Sequence, residues 1–194
     1  MSRSKRTDPR EIRAARRLRR PATPRLRVIT QRPSSGFHHP AGKHEILEAL
    51  EALGPIALYG VRSVELVRAP ASRPGAMPAT GSYDVPGRIV LYEQPVPPWR
   101  MRGMIAPATA CRLEKSGAVL TPLPEAGVTL VDWPADTLRR FMLDEVLIHE
   151  VGHHVLQHHK GKRPARIART RDHEASAARF AEKQRAALTK RNSP

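Results

Sequence analysis

The chain has 194 residues, enough for one domain with a buried core and additional tails. It is 40% hydrophobic but only 4% aromatic, and its 19 prolines call for short elements joined by many loops. One cysteine, Cys111, excludes an intrachain disulfide and points to a reducing compartment; it reads as an ordinary small core or loop residue. The net charge of +16 is uneven. Residues 1–35 hold 12 Lys/Arg against 2 acids, residues 160–194 hold 11 against 3, and residues 36–159 hold 11 against 13. A near-neutral body thus carries two basic ends, which suit a polyanion such as nucleic acid or act as solvated tails. No run approaches the roughly 20 apolar residues of a membrane helix. The arginine-rich start lacks the apolar stretch of a secretory signal, so the expectation is a soluble, cytoplasmic protein without a membrane partner.

In chain order, residues 1–35 read as a basic extension without a core of its own, with a short helix expected at Pro9–Arg20. A domain over residues 36–190 follows. Ile46, Leu47, Leu50 and Leu53 recur at helical spacing in "GKHEILEALEALGP", which Gly54-Pro55 stops. Alternation predicts a strand over Val61–Val67, a loop over "ASRPGAMPATGSYDVPG", and strands at "RIVLYEQ" and "GVTLVDW". Arg100–Gly127 shows no clear pattern. From Pro134 the chain runs about 25 residues without another proline, and Leu138, Phe141, Met142, Val146, Ile148 and Val155 give a broad apolar surface, so a central helix is expected. Asp136 suits its positive N-terminal end. A basic loop, "KRPARIAR", leads to a second, alanine-rich helix with Thr170 or Asp172 as its cap.

Within the first of these helices lies "IHEVGHHVLQHH". His149 and His153 are four residues apart, so they stand one turn apart on one face and their ring nitrogens can converge on one metal ion. Glu150 lies about 100° round the helix, beside the ion rather than on it, where a carboxylate can take a proton from a metal-bound water. Gly152 lets a neighbouring element come close. A catalytic zinc site needs a third protein ligand and keeps its fourth position for water. His159 completes the metzincin spacing His-Glu-x-x-His-x-x-Gly-x-x-His, but Leu156 stands where that motif has glycine. If the helix continues through Leu156, position 159 is about 120° and about 9 Å away from position 153. Glu174, on the second helix, is the alternative, and Ala175, Ala177 and Ala178 permit close helix packing. His173 is a rival beside it. The remaining histidines read as surface residues: His38, His39 and His44, with His154 on the helix surface, and His158 and His159 at the negative helix end. Tyr83, Tyr92, His154 and His173 are all available to stabilise an oxyanion.

"HEVGHH" followed some twenty residues later by "HEASAARFA" resembles the zincin metallopeptidases of gluzincin type, and most closely the ImmA/IrrE group of small bacterial and phage proteases. That group shows His-Glu-x-x-His and then a Glu ahead of an "ANxFA" helix. The matching letters here are Glu174 and "ARFA" at Ala178–Ala181, with Ala178-Arg179 in place of the usual Asn or Asp. The resemblance covers about residues 83–185 and places "GRIVLYEQ" as the edge strand above the cleft. It implies a zincin-like α+β fold, a small twisted mixed sheet packed on an active-site helix and a second ligand-bearing helix. It implies Zn²⁺ held by His149, His153 and Glu174, Glu150 as general base, and a regulatory protease acting on one or few protein or peptide substrates. Two other readings stay open: a DNA-associated protease of SprT-like kind, which uses a third histidine, and a non-catalytic basic nucleic-acid-binding protein with a structural zinc.

Overall fold

A computed structural model describes residues 26–159 and 171–192. Strand β1 (Arg27–Thr30) places the β-branched Val28 and Ile29 in a sheet, so the domain takes in residues assigned above to the basic extension. The expected helix at Pro9–Arg20 and the "KRPARIAR" loop lie outside the described residues. The short strand β2 (Phe37–His38) comes next. Helix α1 (Lys43–Leu53) forms where the spacing predicts it, with Ile46 and Leu50 fully buried. Glu45 Oε2 accepts the Gly42 N–H at 2.7 Å and closes the first turn. Gly54, at φ 81°, ends the helix, and Pro55 opens the single turn α2 (Pro55–Leu58).

Three further strands, β3 (Ser63–Val67), β4 (Gly81–Asp84) and β5 (Arg88–Tyr92), join β1 in a mixed sheet of order β1-β3-β5-β4. The β1–β3 and β3–β5 pairs are parallel, and β4 runs antiparallel to β5. Two expectations change here. The stretch read as a loop contains β4, and Arg88–Tyr92, expected at the edge, lies inside the sheet. Burial explains the second: Ile89, Val90 and Leu91 are all buried, the pattern of a strand covered on both faces. Gly-Ser-Tyr-Asp has less to bury and takes the edge.

The unreadable stretch Arg100–Gly127 belongs to a separate antiparallel sheet. Strands β6 (Gln94–Pro95) and β2 form a two-residue ladder; β7 (Trp99–Arg102), β8 (Val119–Leu123) and β9 (Val128–Asp132) assemble in the order β7-β9-β8, with helix α3 (Pro107–Lys115) between β7 and β8. Cys111 is exposed on α3, not in the core. Trp99, Met101 and Val131 turn inward, and Trp133 packs at a tilt between Trp99 and Phe141 at centroid distances of 5.2 and 4.9 Å. Among the described residues, the expected single sheet is thus three small ones around one continuous core.

The central helix begins at Thr137, a little later than Pro134 suggests. It has three parts: α4 (Thr137–Arg140), a π-helical stretch Phe141–Leu147, and α5 (Ile148–His159). Asp136 precedes it and pairs with Arg139 and Arg140 at 2.9 and 3.3 Å. The helix is unbroken past Leu156, so no bend turns the backbone at 159 back toward 153. Helix α6 (Arg171–Asn192) packs on α5, while β4 packs on α5 from another side. The molecule is therefore mixed α+β. Among the described residues, no helix is long and apolar enough to cross a membrane.

Candidate metal centre

Helices α5 and α6 meet closely because Gly152 has no side chain. A Cβ there would lie 3.0 Å from the Ala177 carbonyl oxygen, 3.2 Å from Ala177 Cα and 3.1 Å from Phe180 Cδ1. Ala177 and Ala181 are buried in this contact. Far along α6, Arg185 forms an ion pair with Glu145 and donates to the Asp144 carbonyl oxygen at 3.4 Å, which fixes the helix against the π-helical stretch. Burial pushes the Asp144 carboxyl above its ordinary value, against the opposing pull of the Arg185 charge.

This packing brings the first turn of α6 over the histidine face of α5. His149 Nε2 and His153 Nε2 are 3.0 Å apart, and Glu174 Oε2 lies 3.2 Å from the first and 3.4 Å from the second. Among the described residues, these three form a group able to hold a metal ion. The triangle suits zinc. Four ligands at 2.0–2.1 Å in a tetrahedron stand about 3.3–3.4 Å from one another, close to the edges seen here. Two neutral imidazoles and one carboxylate are also ordinary zinc donors. The His153 side chain is 1% exposed, but His149 is 26% and Glu174 44% exposed, so one side of the triangle is open to solvent.

Glu150 is buried beside the triangle. Strand β4 covers it: a Cβ on Gly81 would lie 3.4 Å from Glu150 Cγ and 2.7 Å from Val146 Cγ1. Gly81 thus lets the sheet edge lie directly on Val146, with the Glu150 side chain in ordinary contact beside it. The edge strand and the catalytic candidate are neighbours, which the sequence alone did not disclose for this strand.

The other histidines separate clearly. His154 is buried, not on the surface: its Nε2 donates to the Tyr59 carbonyl oxygen at 2.9 Å, and its Nδ1 accepts from the Tyr83 hydroxyl at 3.2 Å. Tyr83 in turn accepts the Gly87 N–H at 3.4 Å, and burial raises the pKa of its phenol, keeping the donated proton in place. The Tyr92 hydroxyl is bonded to Ser82 Oγ at 3.2 Å. His173 does not enter the donor triangle; its Nδ1 lies 3.0 Å from His153 Nδ1. His38 and His39 are half-buried, and only His44 of the three N-terminal histidines is well exposed. Burial, and then the neighbouring His39, lower the pKa of His38.

Set beside protein-family models, curated proteins and solved structures, the chain matches none of them.

Proposed function

We propose that the chain is a zinc-dependent metallopeptidase of zincin type, related to the ImmA/IrrE group, hydrolysing peptide bonds in a protein substrate. The observation that carries this reading is the solvent-open triangle of His149, His153 and Glu174 with a buried carboxylate, Glu150, at its side. Bound there, zinc supplies a Lewis acid that acidifies water and polarises a carbonyl. Glu150 takes the proton of the attacking water and returns it to the leaving amine. Burial under β4 keeps it close to the reacting groups and away from bulk water. Strand β4 ends its sheet among the described residues, so its outer edge offers main-chain hydrogen bonds to an extended peptide. A structural zinc would need a fourth protein ligand, and the SprT-like alternative a third histidine; the described cluster has three members and is completed by a carboxylate.

Glu150→Gln tests the assignment. It should keep zinc, measured by metal analysis, and lose peptide cleavage by about 10²–10⁴-fold. Turnover that survives the change removes Glu150 from the chemistry. The basic N-terminus would serve as a polyanion-binding extension separate from the site. Because β1 begins at Arg27, a deletion should stop at residue 25. That truncation should weaken DNA or RNA binding and flatten its salt dependence, with cleavage of a peptide unchanged. An unaltered salt slope would exclude this role.

A further inference from the structure

His173 stands one residue before Glu174, yet it is not one of the three donors and meets His153 at the other ring nitrogen. The rings of His153 and His173 lie within 23° of parallel, with centroids 4.9 Å apart, and their Nδ1 atoms are 3.0 Å apart. Where no cation lies between them, a contact of that length between two ring nitrogens needs one donor and one acceptor. On the metal reading above, His153 Nε2 offers its lone pair to the cation and carries no proton. A neutral imidazole has a single N–H, so that proton sits on His153 Nδ1 and is donated to His173 Nδ1. His173 must then carry its own proton on Nε2.

We propose that His173 is the positioning residue of the metal centre: it selects the tautomer of His153 that leaves Nε2 free for the cation, and it fixes the ring's rotation. His153 is 1% exposed, so bulk water is not at hand to satisfy its Nδ1 proton. The device is economical in sequence, since adjacent residues of α6 supply a donor to the cation and a brace for another donor. The inference rests on the zinc reading and adds a role which the donor triangle alone does not contain.

The test compares three forms of the full chain by zinc titration against a competing chelator. His173→Phe keeps the ring contact and removes the acceptor; His173→Asn keeps an acceptor near the position of Nδ1. The phenylalanine variant should bind zinc about 10–100-fold more weakly, and the asparagine variant within about threefold of wild type. Thermal unfolding of the metal-free proteins should show near-equal midpoints. Equal losses in both variants, or none in His173→Phe, overturn the proposal while leaving zinc binding itself intact. A wild type that takes up no zinc overturns the metal reading and this inference together. Nitrogen-15 imidazole spectra of the zinc-loaded wild type give an answer even if a variant does not fold. They should show His153 protonated at Nδ1 and metal-bound at Nε2; the reverse assignment overturns the proposal.

Discussion

His153 and His154 are adjacent, equally buried and chemically identical, and they do opposite things. One helical step of about 100° separates them. His153 points toward α6, where its Nε2 meets His149 and Glu174 and its Nδ1 meets His173. His154 points toward the sheet side, where both nitrogens hold protein groups: Tyr83 of the edge strand and the carbonyl of Tyr59, just after α2. The first region gathers donors with one side open to solvent. The second is closed, with an N–H donor, a carbonyl acceptor and a phenol each matched. Burial alone therefore does not mark a candidate donor histidine. What matters is whether its lone pair meets other lone pairs, which asks for a cation, or meets protons, which does not.

The sharpest way to break this contrast is to remove the third donor. Glu174→Ala should weaken zinc binding by about two to three orders of magnitude, while His159→Ala should bind nearly as wild type. Isothermal titration of both variants with zinc measures this, and the opposite ranking would replace the gluzincin arrangement by a metzincin-like one. On the closed side, His154→Phe should leave zinc affinity within a few-fold but cost about 2 kcal/mol of stability, a fall of roughly 4–8 °C in the thermal midpoint. A parallel loss of zinc affinity would mean that the two regions are not separable. The smallest effect lies at the far end of the edge hairpin, where Arg88 donates to Glu65 at 2.8 Å and to Asp84 at 2.6 Å. The Arg88 hydrogen bond holds the Glu65 carboxyl below its ordinary 4.5. Its stabilisation is thus present above that pH and is lost as the pH falls through the lowered folded value. Arg88→Met should cost no more than about 1 kcal/mol at pH 7, and the gap to wild type should narrow as the pH is lowered below 4.5 in urea titrations. A gap that stays constant with pH would rule out a charge effect.

The helix that carries the two histidine donors was legible because its signals are local: His149, Glu150 and His153 need only helical spacing to be placed, and Leu156 argued for a straight helix past them. Glu174 was legible for a related reason, since it opens a helix whose alanines permit close approach. The contacts of His154 and His173 were not legible. Both depend on which element covers which face of α5, a tertiary fact without any period in the sequence. Strand β4 was hidden by its composition. Gly81, Ser82 and Asp84 read as loop, and only pairing with β5 and contact with Glu150 make them a strand. Of the β7–β9–β8 sheet, β9 was legible in "GVTLVDW", whereas β7 and β8 were missed because they are short and separated by α3.

The close approach at Gly152 bears on how the site is assembled. His149 and Glu174 are 25 residues apart in the chain. Bringing two such points together in a floppy polymer costs on the order of 3 kcal/mol in lost configurations. With α5 and α6 already in contact through Gly152 and Ala177, that cost falls on folding, and on the proposed metal reading an arriving cation would find its donors preassembled. The cation would then favour the folded chain by mass action alone. On that reading the helix pair would work as a clasp: shut by packing, and tightened to a degree set by how much free metal surrounds it.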